Sequence, residues 1–182
     1  MIILSNMEMI KKEIKYPYLP TGRSILYVPI SNKYMILAKQ QAQKSNDHNT
    51  PTGVVIVFND EVAGSAYNNP PISNNFLINL HTRFCIRKLL KVPSGTNYWI
   101  CPGCATNSSH AEYRAVLEVQ KKMLKEYNDL DIYLWGHWWC CKPCWDKMLE
   151  LPLRNVYLLE DSEKLFNPKH SENIIGKQFK LD

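Results

Sequence analysis

Apolar and polar positions alternate along this chain in blocks that predict distinct elements. Val54 to Phe58 (VVIVF) is a β-branched run bounded by turn residues and predicts a buried strand. Asn59-Asp60 marks a short turn, and Glu61 to Tyr67 (EVAGSAY) returns as a second strand, so the two form a hairpin. Upstream, Lys33 to Lys44 lacks Gly and Pro and repeats Met35, Ile36, Ala38 and Ala42 at helical spacing. From Ser109, a clear helical period places Ala115, Val116, Val119, Met123 and Tyr127 on one face, and Ser109 with Glu112 fits a capping box. A strand from Asp131 (DIYLWGH), a helix with Pro143 in its first turn and a strand over Asn155–Glu160 follow. Strand, helix and strand in succession imply a parallel pair. The pattern divides the chain into an irregular, Pro-rich lead-in over residues 1–30, a domain over 31–162 and a polar, loosely attached tail over 163–182. Inside the domain, residues 69–109 show little periodicity and read as a loop insertion. So long a loop needs something to hold it.

Composition narrows the class. Apolar residues make up 45% and charged residues 21% of 182, which fits one globular domain and excludes a disordered chain. No apolar run is long enough to span a bilayer, and no secretory signal is visible, so a cytoplasmic protein with no membrane partner is expected. The net charge of +5 is modest, and the basic residues are scattered except for pairs such as Lys11-Lys12 and Lys121-Lys122. That balance accommodates a phosphorylated small molecule or a nucleic acid without demanding either. The six cysteines, Cys85, Cys101, Cys104, Cys140, Cys141 and Cys144, include two C-x-x-C pairs. In a chain without a signal sequence, such pairs point to metal rather than disulfides.

The chemistry concentrates in His110-Ala111-Glu112 and Cys141-Lys142-Pro143-Cys144. Catalytic zinc takes three protein ligands and keeps one position open, and His110, Cys141 and Cys144 supply one nitrogen and two thiolates. The cysteines are spaced to share one side of a first helical turn, and His110 opens its own helix. Two helix N-termini thus converge on one ion and favour its anionic ligands. Glu112, at the helix tip, is placed to carry protons between a zinc-activated water and a substrate. Cys140 and His137 are further reactive groups beside the pair, with Cys140 read as a packing residue and, in the rival reading, the fourth ligand of a closed structural site. Trp135, Trp138, Trp139 and Trp145 crowd the same region as core and pocket wall, or as a stacking surface for a base. His170, in the tail, is expected to face solvent.

From Lys33 to Glu160 these residues resemble the cytidine and deoxycytidylate deaminase superfamily, in particular microbial dCMP deaminases. The resemblance rests on Thr52-Gly53-Val54-Val55-Ile56-Val57 with Ala66-Tyr67-Asn68, on the zinc motif, and on Cys85-Ile86-Arg87-Lys88, Val92-Pro93-Ser94-Gly95 and Cys101 ahead of His110. It implies an α/β fold, a cytidine deaminase-like three-layer α-β-α arrangement with helices on both faces of a mixed five-stranded sheet. It also implies hydrolytic deamination of a cytosine nucleotide, dCMP to dUMP with release of ammonia, in a homo-oligomer whose partner is a small pyrimidine nucleotide. The base would stack near zinc, held by the backbone around Ala111, with Asn68 near the sugar. Some members of the family carry a second, structural zinc, with one ligand from just before the first strand of the hairpin. Here Cys85, Cys101 and Cys104 would bind it with His48, and His81 is the rival.

Four departures surround the expected pocket. Cys140 stands where the family has Pro, Arg114 where it has Asn, and Asn68-Asn69 where it has Asn-Gly. The stretch Cys101 to Ser109 is also longer than expected. Arg114 could pair with a substrate phosphate, because a guanidinium matches phosphate geometry, or could be a solvated helix residue. These departures keep two alternatives open: a deaminase of another base, nucleoside or polynucleotide, and a zinc-binding module without catalysis. Glu112 argues against the second, since a structural site has no use for it.

Overall fold

The run that begins at Gly53 forms the first strand of the hairpin in a computed structural model, which describes residues 14–93, 95–122 and 127–179. In chain order the elements are β1 (Ile25–Val28), α1 (Lys33–Ala42), β2 (Gly53–Phe58), β3 (Glu61–Tyr67), α2 (Asn75–Arg83), α3 (Ile86–Leu89), α4 (Ala111–Lys121), β4 (Leu130–Trp135), α5 (Lys142–Met148), β5 (Leu153–Leu159) and α6 (Ser162–Phe166). The strands form one sheet in the order β1-β5-β4-β2-β3. β2 pairs antiparallel with β3 and β4, whereas β5 lies parallel to β4 and β1, so the sheet is mixed. Asn59 and Asp60, both with positive φ (46° and 65°), make the tight turn between β2 and β3.

Alternation along the strands feeds two cores. Val54, Ile56, Ile132, Leu134, Val156 and Leu158 face α4 and α5 on one side. Val55, Val57, Tyr133, Trp135 and Leu159 face α1 and Phe166 of α6 on the other. A sheet buried on both faces reads as continuous apolar runs, which is the pattern of β2 and β4. The three-layer arrangement expected for the chain is therefore present.

Four expectations need correction. The lead-in is not irregular throughout, because Ile25–Val28 pairs in register with Val156–Leu159 as β1. Four residues among prolines carry too little period to announce a strand; the exposed edge of β5 creates it. The 69–109 insertion is not a bare loop, since it holds α2, α3 and 3₁₀ turns at Tyr98–Ile100 and Asn107–Ser109. The cap was readable: Asn74 Oδ1 accepts from the amides of Phe76 (3.0 Å) and Leu77 (3.2 Å). The period was not, because α2 buries only Ile78. The tail is not loose, as Phe166 packs edge-on to Trp135 at 5.5 Å and Gln178 is buried. Finally, the Ser109 capping box does not form. His110 is the N-cap of α4, and Ser109 Oγ lies 3.0 Å from Thr106 Oγ1 instead. Met123 and Ser94 lie outside the described residues.

Candidate metal centre and active site

Two helix starts bring the motif together. β4 is followed by Gly136, whose φ of 93° suits glycine and where a Cβ would sit 2.2 Å from the Pro51 carbonyl oxygen. The chain then turns through His137–Cys140 into α5, with Cys141 as N-cap. On the other side, the Asn69 amide donates to Ser109 O (3.0 Å) and ties the end of β3 to the start of α4. Neither N-cap side chain, His110 or Cys141, makes a capping hydrogen bond, and the two meet across the helix starts. His110 Nδ1 lies 3.3 Å from Cys144 Sγ and 3.6 Å from Cys141 Sγ. The donor atoms of His110, Cys141 and Cys144 all lie within 4.8 Å of one another. Zinc bonds of roughly 2.0–2.3 Å in a tetrahedron require ligand atoms roughly 3.5 Å apart, so this donor set fits the ion.

The electrostatics suit it too. The hydrogen bond from Cys144, helped by His110, brings the Cys141 thiol down to about 5 against the opposing effect of burial. Burial pulls the His110 imidazole down, but its hydrogen bond with Cys141 and the charge of Glu112 outweigh that and raise it. The Ala105 backbone beside the His110 ring adds to that rise. Glu112 sits in the first turn of α4 at 5% exposure, and burial raises its carboxyl above the usual range against the pull of His110. Cys140 is fully buried and outside the ligand cluster; its thiol, pushed up by burial, meets the Glu112 carboxylate instead. The cluster thus has three protein donors, one short of the four that a closed zinc site takes.

A cavity of about 660 Å³ opens onto His110, Glu112 and Cys141. Ala111, Asn68 and Trp139 line it as expected, whereas Trp135 and Trp145 belong to the two cores. Asn68 has little left to offer a ligand. Its Nδ2 donates to Asp47 Oδ2 (3.3 Å) and Thr50 O (3.0 Å), and its Oδ1 accepts from Ser45 Oγ (2.7 Å) and Thr52 N (2.8 Å). It braces the loop before β2 rather than reaching outward. Arg114 is not part of the cavity lining. Its guanidinium donates to Tyr67 O and stands over the Tyr67 ring at 4.9 Å, because its helix position faces β3. The phosphate role expected for it therefore has no support. His137 is the residue whose importance the sequence understated. It lines the cavity, its Nδ1 is buried without a partner, and burial with the nearby His110 charge brings it down to about 4. It is a neutral imidazole at neutral pH.

The second cysteine set also closes. Cys104 Sγ lies 3.6 Å from Cys85 Sγ and 3.5 Å from His81 Nε2, and all four donors of His81, Cys85, Cys101 and Cys104 fall within 4.8 Å. The fourth member is His81 rather than His48, which is exposed and outside the cluster. The helical insertion decides this: His81 comes from the last turn of α2 and lies over Gly103, where a Cβ would sit 2.2 Å from its ring. Burial drives Cys104 up to about 12, while backbone amides of Gly103 and Ile86 bring Cys101 down despite burial. Three sulfurs and one imidazole fit a closed structural zinc site. The cluster also supports the active site, because Arg87, just past Cys85, stacks at 4.0 Å on Tyr98, whose ring meets His110 edge-on at 5.0 Å.

Residues 29–160 match the model of the family described as the cytidine and deoxycytidylate deaminase zinc-binding region. No curated protein matches the sequence. Similar solved structures include a dCMP deaminase from the cyanophage S-TIM5 in apo form, 20% identical, covering 71% of this chain and 82% of that one, with a TM-score of 0.44. A guanine deaminase from Bacillus subtilis is 14% identical and covers 70% of this chain and 62% of that one, with a TM-score of 0.41. A diaminohydroxyphosphoribosylaminopyrimidine deaminase/5-amino-6-(5-phosphoribosylamino)uracil reductase from Thermotoga maritima is 16% identical and covers 69% of this chain and 28% of that one, with a TM-score of 0.39. Among the described residues, no helix is long and apolar enough to cross a membrane.

Proposed function

The chain belongs to the cytidine and deoxycytidylate deaminase zinc-binding family, and from that premise we propose that it is a hydrolytic deaminase converting a cytosine nucleotide, dCMP, into dUMP and ammonia. One observation carries the reading: His110, Cys141 and Glu112 line a cavity of about 660 Å³, and the buried Cys144 completes the three-donor cluster behind them. That volume lies within the usual range for a small-molecule site and suits a single nucleotide.

His110, Cys141 and Cys144 hold the catalytic zinc. When bound, the ion supplies Lewis acidity that brings a water near neutral pKa, roughly 7. Glu112, whose carboxyl burial raises above the usual range, accepts a proton as the water oxygen adds to the ring carbon bearing the amine. It delivers that proton to the adjacent ring nitrogen. It then takes the second proton from the newly added hydroxyl and passes it to the amine, the carbon–nitrogen bond breaks as the carbonyl forms, and ammonia leaves. Cytosine plus water thus balances uracil plus ammonia. Trp139 walls the cavity beside the reacting groups, with neutral His137 packed against it at 5.9 Å, ring edge to face. His81, Cys85, Cys101 and Cys104 would hold a second, structural zinc, which would tie the insertion together beside this wall.

The test is turnover with the zinc-loaded full-length protein. Ammonia release and product mass are followed on dCMP, CMP, deoxycytidine, guanine and a single-stranded oligodeoxynucleotide. The expected result is dUMP and ammonia from dCMP at the highest kcat/KM of the panel. Bound zinc with no ammonia from any cytosine compound would overturn the reading.

A further inference from the structure

Besides Glu112, the cavity lining carries a group of basic side chains. Lys88, Lys91 and Lys169 all line the cavity and are exposed. None of them belongs to an ion pair among the described residues. Apart from Glu112, the one acidic side chain in the lining is Asp47, and it is already engaged. Asp47 Oδ1 accepts from the amides of Asn49 (3.0 Å) and Thr50 (3.1 Å), and its Oδ2 accepts from Thr50 Oγ1 (3.0 Å) and Asn68 Nδ2 (3.3 Å). Asp47 therefore orders the loop before β2 and leaves the lysines unneutralised. Asn49, held by that loop, accepts from Lys88 Nζ through Oδ1 at 3.3 Å. Asn49 lines the same cavity, and its Nδ2 is buried with no hydrogen-bond partner. An orphaned buried donor beside three unpaired cations calls for an anion with several acceptor oxygens.

Arg87, the fourth cation of the lining, is not available in the same way. Its Nη2 donates to Pro93 O (2.7 Å) and Thr96 O (2.8 Å), and its plane stacks on Tyr98. It shapes the turn after α3. That turn, with Lys91 in the left-handed region (φ 52°), sets where Lys88 and Lys91 emerge. Cys85, of the second cysteine–histidine cluster, caps the start of α3.

We propose that Lys88, Lys91 and Lys169, with the Asn49 side-chain amide, form a phosphate subsite that selects a phosphorylated nucleotide over the free nucleoside. The inference rests on the deaminase reading for the base and adds the groups that read the phosphate. Arg114, the guanidinium that the sequence offers for this task, points instead to β3.

The experiment compares the zinc-loaded wild type with the Lys88→Met/Lys91→Met/Lys169→Met variant, and with Lys33→Met on α1 as a control for surface charge. All four lysines are exposed, so each variant is expected to keep the wild-type melting temperature. For the triple variant, KM for dCMP should rise roughly a hundredfold, allowing for incomplete additivity of about tenfold per charged contact. kcat/KM for deoxycytidine should stay within twofold of wild type. Inorganic phosphate should compete with dCMP in the wild type and lose that effect in the variant. An unchanged preference for dCMP over deoxycytidine in the triple variant would overturn the subsite. An oligodeoxynucleotide that displaces dCMP with a steep salt dependence would overturn its assignment to a mononucleotide. If the wild type turns over neither compound, the deaminase reading fails while calorimetry with dUMP still decides the subsite. Weaker dUMP binding in the triple variant then supports it, and equal binding overturns it.

Discussion

Replacing Glu112 by Gln separates proton transfer from metal binding within one side chain. Glu112 is buried at 5% exposure in the first turn of α4, and its carboxylate is not among the three clustered zinc donors. The amide has the same shape, so the helix, the cavity and the ligands should persist. Burial already raises the carboxyl pKa, so the fold disfavours the charged form at this position. An uncharged amide removes that penalty, and the melting temperature should not fall. Catalysis should suffer heavily, because the same group serves both the attack of water and the departure of the amine. General acid–base catalysis contributes roughly 10²–10⁴-fold for a single transfer, and two transfers through one residue put the loss at a thousandfold or more. That corresponds to about 4 kcal/mol of barrier. The assay is single-turnover and steady-state ammonia release, with zinc content measured by elemental analysis on the same preparation. A variant that keeps a tenth of the wild-type kcat with zinc bound would refute Glu112 as the proton carrier. Loss of zinc from the variant would place the carboxylate on the metal and refute the three-donor description.

Cys141→Ser or His110→Ala should lose the catalytic zinc and all turnover, while circular dichroism keeps the α/β signature and elemental analysis reads one zinc instead of two. Gly103→Val should drive a side chain into the His81 ring, where even a Cβ would sit 2.2 Å away. The second zinc should be lost, and KM for dCMP should rise more than kcat falls, because α3 and its lysines would lose their anchor. Trp145, fully buried between α5 and the sheet, should cost about 3–5 kcal/mol when truncated to Ala, read as a lowered midpoint in urea. His137 sets an acid limit on stability. Its folded pKa, about 4, lies below the ordinary imidazole value, so on acidification the unfolded chain takes up the proton first. Its contribution is intact above pH ~6.5 and falls by up to about 1.4 kcal/mol per pH unit down to pH ~4. His137→Phe should flatten that part of the stability profile, and an unchanged slope in urea melts at pH 5 and 7 would count against a buried neutral imidazole.

Local chemistry was legible in the chain. His110 and Cys141 start helices, and their roles as ligands follow from spacing within one or two turns, so the motif could be read without coordinates. The same holds for the β2–β3 hairpin, whose Asn59-Asp60 turn and β-branched strands carry their own conformational preference. What the chain could not announce were features created by distant partners. β1 is a strand because β5 offers it an edge, and α2 hides its period because only Ile78 faces the core. The fourth partner of the second cluster, expected at His48 with His81 as the rival, is His81, because α2 lays its last turn over Gly103. The side chain of Arg114 was free in sequence but bound to Tyr67 in space, and Asn68 proved to have its amide fully engaged. Sequence spacing reports which residues share a turn, but only the packed chain reports which polar groups already have partners. Arg114 and Asn68 have theirs, whereas Asn49 Nδ2 has no hydrogen-bond partner and the lysines around it have no counter-charge among the described residues.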